Sequence, residues 1–454
     1  MTWSRREFLR TCLTGALVVP LAGKSFASDL LLPEDPVSAE LDSALLDELE
    51  RVSFDFFWNE SDPNTGLVRD RALADGGDKR LMGSIASTGF GLTALCIGHR
   101  RGYRNPKEIT ARVRNTLKFL LTEAHQVNGF LYHFVDIHTG NRYGVSEISP
   151  IDMAILLCGV LTCREYFHDS QIRRDAYELY KRVDWNWMLN DGDAFALEWT
   201  PEFGFSHLRW SQYSESMMLY LLAMGSPRHP IPAECWDQIQ RPWLVYDNYR
   251  YISSPAPLFI HQFSHAWFDF RGKKDSHADY FANSVLASQA HREFCRKLSH
   301  KFPCYSGEVW GITSSDSCEG YVAWGGPPIL GPIDGTIVPA AAAGSLPFIS
   351  AEAVSVLRNL RGYYGRQIWK KYGFVDAFNP LTGWASSDVV GIDVGISMLM
   401  AENARSRFVW DTFMRNHDVQ TAMERAGFHD LPNPPSLYAY EPRPKSMLAK
   451  MEAI

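Results

Sequence analysis

The stretch SPIDMAILLCGVLTCREYFHDSQIRRDAYELYK, residues 149–181, decides the fold. Its first half, from Ile151 to Cys158, is apolar nearly all round, as a helix buried on every side must be. Ser149, Pro150 and Asp152 stand where an N-cap, a first helical residue and a first-turn acid belong. After the short polar connector His168-Asp169-Ser170, residues 172–181 show a single polar face. A buried helix joined by a tight turn to a half-buried one is a hairpin with an inner and an outer layer.

The same alternation recurs along the chain. Periodicity predicts helices over 39–58, 85–101, 106–125, 150–167, 172–189, 212–224, 277–300, 351–371, 391–404 and 406–426, with little strand-like alternation between them. The expected class is all-α, arranged as two concentric layers of a toroid. The longer connectors, 64–70, 129–149, 195–210, 251–271, 320–347 and 372–388, are rich in aromatic residues and glycine. Loops longer than about 12–15 residues are usually functional or disordered, and this aromatic content argues against disorder. Antiparallel hairpins place such loops at one end of the toroid, which is where a site is expected.

The 454 residues are 46% hydrophobic and 21% charged, with no low-complexity tract and no compositional break that marks a linker. One domain is expected over 28–454, ending in a proline-rich tail from about residue 429. Residues 1–27 read as an address. Ser4-Arg5-Arg6-Glu7-Phe8-Leu9-Arg10 precedes an uncharged run over 11–23, which resembles a twin-arginine signal cleaved after Ala27. That run is shorter than the roughly 20 residues a membrane span needs. Export by the twin-arginine translocase to the periplasm or the medium follows as an expectation.

Loss of the leader removes four basic side chains and one acidic one, taking the formal charge from −7 to −10. Nucleic acid and anionic membranes are therefore poor partners for the mature form. Seven cysteines remain beyond residue 27, an odd number without C-x-x-C spacing, so neither a disulfide framework nor a zinc site is implied. His261 and His265 are four apart, but spacing supplies no third ligand, and no metal or organic cofactor is expected. Phosphate-loop, G-x-S-x-G and H-E-x-x-H motifs are absent.

Aromatic faces beside acids suit a sugar, whose C–H face stacks on rings while its hydroxyls need hydrogen bonds. Hydrolysis of a glycosidic bond needs two carboxyl groups in different environments. The acids inside or beside the aromatic loops are Asp136, Glu147, Asp152, Glu202, Glu215, Asp269, Asp334, Asp376 and Asp393. Asp152 has a structural reason for its place as a first-turn acid. Glu215 also sits where a helix dipole favours an acid, yet it follows Trp199, Phe203, Phe205, Trp210 and Tyr213, an apolar surround of the kind that keeps a carboxyl protonated. Asp393, within Gly391-Ile392-Asp393, either caps backbone amides or faces a cavity. Of the opening loop's acids, Asp136 and Glu147 are the stronger expectations for touching sugar. The expected sugar-binding set adds Tyr132, Trp210, Tyr213, Phe205, His265, Trp324 and Trp384.

The blocks GFLYHFVD (129–136), SEISPIDMAILLCGVLTCREYF (146–167), EWTPEFGF (198–205), YSESMMLYLLAMGSPRHPI (213–231), LFIHQFSHAWFDFR (258–271), WGITSSD (310–316), DGTIVPAAAAGSLPF (334–348) and YGFVDAFNP (372–380) occur in this order. Together, from Leu41 to Phe428, they resemble a bacterial family once labelled glucoamylases that includes endo-β-1,2-glucanases, glycoside hydrolase family 144. The resemblance implies an (α/α)6 toroid and inverting, endo-acting hydrolysis of β-1,2-glucan to sophoro-oligosaccharides. It also implies that Glu215 is the acid candidate and Asp393 a candidate base or essential binding acid, with Asp136, Glu147 and Asp152 matching acids of the first loop block; Asp136 is the alternative catalytic partner of Glu215, and Glu147 and Asp152 are expected to bind sugar. Pro150 and Ser214 depart from the Ser or Thr and the Asn common there. An exo-acting or other-glucan hydrolase, and a non-catalytic periplasmic glucan-binding protein, are the alternatives.

Overall fold

The computed structural model describes residues 36–255, 257–328 and 331–432; residues 1–27, where a leader is expected, and most of the proline-rich tail lie outside the described residues. In chain order the helices are α1 (Pro36–Asn59), α2 (Ile85–Arg101), α3 (Pro106–Thr122), α4 (Pro150–Tyr166), α5 (Ser170–Lys181), α6 (Trp185–Leu189), α7 (Met217–Met224), α8 (Glu234–Asp237), α9 (Tyr280–Leu298), α10 (Pro339–Ala343), α11 (Ser350–Ile368), α12 (Gly391–Ser406), α13 (Phe408–Phe413) and α14 (His417–Arg425). Two 3-10 turns, Leu258–His261 and Ser264–Ala266, stand between α8 and α9.

An inner ring is built from α2, α4, α7, the 3-10 pair, α10 and α12, each buried over most or all of its length. It closes through specific contacts. A Cβ on Gly89 of α2 would lie 2.3 Å from the Ile155 carbonyl oxygen of α4, and one on Gly159 would lie 2.1 Å from the Gly89 oxygen, so these helices touch backbone to backbone. Next in the ring, α7 packs on α4. The Ser264 hydroxyl accepts from the Met218 amide at 3.0 Å, joining the 3-10 pair to α7. Gln262 Nε2 donates to the Ala341 carbonyl at 2.9 Å, joining it to α10. Packing of α12 on α10, and of Gly395 in α12 against the Phe90 ring of α2, completes the circle.

The outer helices bury one stripe each. In α3 the stripe is Ile109, Val113, Thr116, Leu117 and Leu120, and in α5 it is Ile172, Ala176, Leu179 and Tyr180, both at helical spacing. Helix α1 covers α12 and α2, α9 covers the first 3-10 turn, and α11 covers α10. This two-layered ring is the (α/α)6 architecture.

Several expected boundaries differ. The helix expected over 172–189 breaks at 182–184, where the Asp184 carboxylate turns to cap the Trp187 amide at 3.2 Å. That over 406–426 is two helices, with Arg407 in the left-handed region at φ 60° between α12 and α13. Residues 212–216 are not helical, because the Tyr213 amide donates to Gln240 at 2.8 Å, and α7 starts only at Met217. The larger correction concerns 251–271 and 320–347, read as loops, which contain the fourth and fifth inner segments. Three to five residues of helix are too few to leave a period in the sequence.

Candidate active site

The N-termini of α2, α4 and α12 gather at one end of the ring, beneath the loops that precede them. Over the N-termini of α2, α4 and α12 lies a cavity of about 650 Å³, lined there by Ser84, Ser149, Ile151, Asp152, Val390 and Ile392. Ser84 and Ser149 are N-caps, accepting from the Ser87 and Asp152 amides. Helix N-termini favour negative groups, and the cavity carries six carboxylates: Asp70, Glu147, Asp152, Glu198, Asp316 and Asp388.

One wall is the loop before α4 together with the 199–205 hairpin. The Ile148 and Trp199 backbones exchange hydrogen bonds of 2.8 and 3.0 Å, which brings Glu198 beside the stretch that holds Glu147 and Ser149. His133 stands between two acids, its Nδ1 at 3.0 Å from Glu147 Oε1 and its Nε2 at 3.5 Å from Asp152 Oδ1. Phe134 stacks on the imidazole with ring centres 3.8 Å apart. Burial alone would push His133 down, but the Asp152 charge and the Glu147 hydrogen bond outweigh it and hold the imidazole up at about 9. His133 is therefore a cation at neutral pH.

The facing wall comes from the antiparallel pairing of Arg71–Leu73 with Asp388–Val390 and from the hairpin of Ser315–Ser317 with Gly320–Val322. Arg71 bridges Asp70 at 3.1 Å and Asp316 at 2.7 Å, and Arg80 binds Asp388 through two bonds of 2.6 and 2.9 Å. Asp376 is reached through Asp316, whose amide donates to Asp376 Oδ2 at 2.7 Å. Burial, together with Asp393 and Asp316 nearby, pushes the Asp376 carboxyl well above the usual range, and it shares a hydrogen bond with Asp393. Trp210, Phe134, Tyr143 and Tyr321 add aromatic surface to the cavity. The buried Trp210 Nε1 has no hydrogen-bond partner among the described residues.

The expected residues divide accordingly. Glu147, Asp152 and Trp210 line the cavity. Asp136 does not, because its Oδ1 closes a turn by accepting from the His138 and Thr139 amides, both at 3.0 Å. Glu215 is fully buried, and Asp393 lines a small adjoining cavity with Asp376 and Tyr372, which shares Val390 with the larger one. Tyr213 is a core residue, bonded to His261 at 3.1 Å and stacked on Tyr280. His265 is also core, bonded to Ser284 at 3.0 Å and pushed down to about 3 by burial. Tyr132 is buried beside His125, and Phe205 packs edge-on against Trp187. Trp324 donates to Ser315 at 2.9 Å and so braces the strand that carries Asp316, while Trp384 belongs to a short hairpin with Asn379. The sequence reading passed over His133, Asp70, Arg71, Arg80, Glu198, Asp316 and Asp388. Glu198 lies in EWTPEFGF beside Glu202, and Asp316 in WGITSSD, and nothing local to either block separates a cavity-facing acid from a surface one. Glu202 is instead paired with Arg142 on the surface.

His133 gives a pH prediction. Because its folded value is raised above the ordinary 6.5, its ion pairs stabilise fully below about pH 6.5 and are lost as the pH rises through about 9, a change of roughly 3 kcal/mol. Thermal melts between pH 6 and 10 should show this decline in the wild type and a shallower one in His133→Gln. Parallel curves would remove His133 as its source.

A family model described as "Putative glucoamylase" matches residues 207–417. An exo-β-1,2-glucooligosaccharide sophorohydrolase (non-reducing end) of Parabacteroides distasonis is 26% identical over 426 residues, covering 85% of this chain and 58% of that protein. The chain thus spans somewhat more than half the length of that relative. Among solved structures, the endo-β-1,2-glucanase of Chitinophaga pinensis, in complex with sophorotriose and glucose, superposes with a TM-score of 0.79 at 26% identity, over 86% of this chain and 99% of that one. This chain is similar to β-1,2-glucanases. A protein of Bacteroides caccae described as a putative glucoamylase aligns equally well, with a TM-score of 0.79 at 27% identity over 86% of this chain and all of that one.

Proposed function

We propose that the protein hydrolyses β-1,2-linked glucan. The observation that carries hydrolysis is the cavity, with acids and aromatic rings gathered over the N-termini of α2, α4 and α12; the β-1,2 linkage is taken from the glucanases to which the chain is similar. A glycosidic bond held there would lie among carboxyl groups able to donate a proton to the leaving oxygen and to activate water. Glu147, Asp152 and Glu198 form the proposed reacting wall. Arg71 and Arg80 hold the acids of the facing wall in place as acceptors for sugar hydroxyls. Glu215 and Asp393, singled out by the family resemblance, are not among the residues lining the larger cavity; Asp393 is proposed to position Asp376 through their hydrogen bond.

The test is to incubate the mature protein with β-1,2-glucan, laminarin, starch and cellulose and follow product size over time. Only β-1,2-glucan should be cut. An early spread of sophoro-oligosaccharides marks endo action, whereas release of sophorose alone would mark exo action. Cleavage of starch with β-1,2-glucan left intact would sink the reading. Export through the twin-arginine route to the periplasm is proposed from residues 4–27. N-terminal sequencing of envelope protein should read Ser28, and Arg5→Lys with Arg6→Lys should hold the precursor in the cytoplasm.

A further inference from the structure

We propose that Tyr143, Val145 and Phe203 form an outer rim subsite, which binds the sugars of a glucan chain that continue beyond the cavity. The proposal rests on the glucan-hydrolase reading and adds where a long substrate is held. Phe203 is 87% exposed, Val145 79% and Tyr143 41%. A single exposed apolar side chain is normal on any surface. Here three occur on two adjoining loop tips, and two of them, Tyr143 and Val145, also line the cavity.

The two tips are fixed to each other. Arg142 makes a bidentate pair with Glu202 at 2.5 and 2.9 Å, and its Nε donates to the Ser146 carbonyl at 2.5 Å. Phe203 follows Glu202 directly, and its amide donates to Thr200 Oγ1 at 3.2 Å. The Tyr143 amide donates to the Phe134 carbonyl at 3.0 Å, tying the rim to the ring stacked on His133. Apolar side chains left in water gain nothing for the fold, but a backbone already tied down beneath them lowers the ordering cost of binding a ligand that covers them.

Continuity with the cavity identifies the occupant. A space of about 650 Å³ is in the size class of small-molecule pockets, roughly 300–1,000 Å³, so a polysaccharide held in it must pass over the rim. A neutral sugar ring presents an apolar C–H face to Phe203 and its hydroxyls to Glu202, which stays half exposed beside it.

The experiment compares wild type with Phe203→Ala and Phe203→Trp, using long β-1,2-glucan and a short sophoro-oligosaccharide, by initial rates and by gel retardation in glucan. Phe203→Ala should lower the ratio of kcat/KM on long glucan to that on the short substrate by about tenfold, as losing one covered aromatic side chain would. Retardation should weaken in step, and Phe203→Trp should restore both. Exposure of Phe203 means that neither variant should change the melting temperature. A wild type that cuts glucan with Phe203→Ala keeping the same ratio overturns the rim alone. A wild type that neither binds nor cuts β-1,2-glucan overturns the hydrolase reading and the rim together.

Discussion

Asp152→Asn should lower kcat/KM on β-1,2-glucan by about a thousandfold, within the range of roughly 10²–10⁴ that a positioned acid or base contributes. Its carboxylate lies in the first turn of α4, almost wholly buried, on the cavity wall and within 3.5 Å of the His133 cation. Asparagine keeps the shape of the side chain. The Ser149 cap uses the Asp152 backbone amide, so the helix start survives the change and the melting temperature should move by only a few degrees. Glu198→Gln should behave in the same way. Asp136→Asn is the contrast, because an amide oxygen can still accept from the His138 and Thr139 amides. It should stay within about threefold of wild type by the same reckoning. If Asp136→Asn were inactive and Asp152→Asn retained a tenth of the rate, the proposed reacting wall would be wrong.

This contrast reverses the order in which the sequence ranked the two acids. Helix capping explains an acid at Asp152 about as well as sugar binding does, yet N-terminal placement is also what aims a side chain at the mouth of an (α/α)6 ring. The structural role and the exposure to the cavity are consequences of one position. Asp136 drew attention for its aromatic neighbours, but neighbours in sequence do not show which way a carboxylate turns. Long inner and outer helices such as α2, α4 and α5 were legible because each offers at least three turns of pattern. The 3-10 pair and α10 were not, because their burial comes from the ring around them and not from a period of their own. The facing wall was hidden for a different reason. Arg71 meets Asp316, and Arg80 meets Asp388, across separations of 245 and 308 residues that no local pattern records.

The second large effect concerns the ring itself. Gly159→Ala should destabilise the protein by about 4 kcal/mol or more, or prevent soluble expression, since its Cβ would lie 2.1 Å from the Gly89 carbonyl oxygen and backbone cannot yield as a side-chain tip can. Gly89→Ala meets the Ile155 carbonyl at 2.3 Å and should fail in the same way. Gly362 in α11 supplies the opposite case. Its Cβ position has nothing within 4 Å, so Gly362→Ala should stabilise by up to about 1 kcal/mol through helix propensity alone. Denaturant midpoints of the three variants measure both signs, and a Gly159→Ala protein as stable as wild type would show that α2 and α4 can separate freely. The site depends on their not separating. Ser84 at the start of α2 and Ser149 and Asp152 at the start of α4 meet in one cavity only while the two backbones cross at Gly89 and Gly159. A partly folded Gly159→Ala protein should therefore lose activity before it loses helix content, and circular dichroism recorded alongside rates would separate the two.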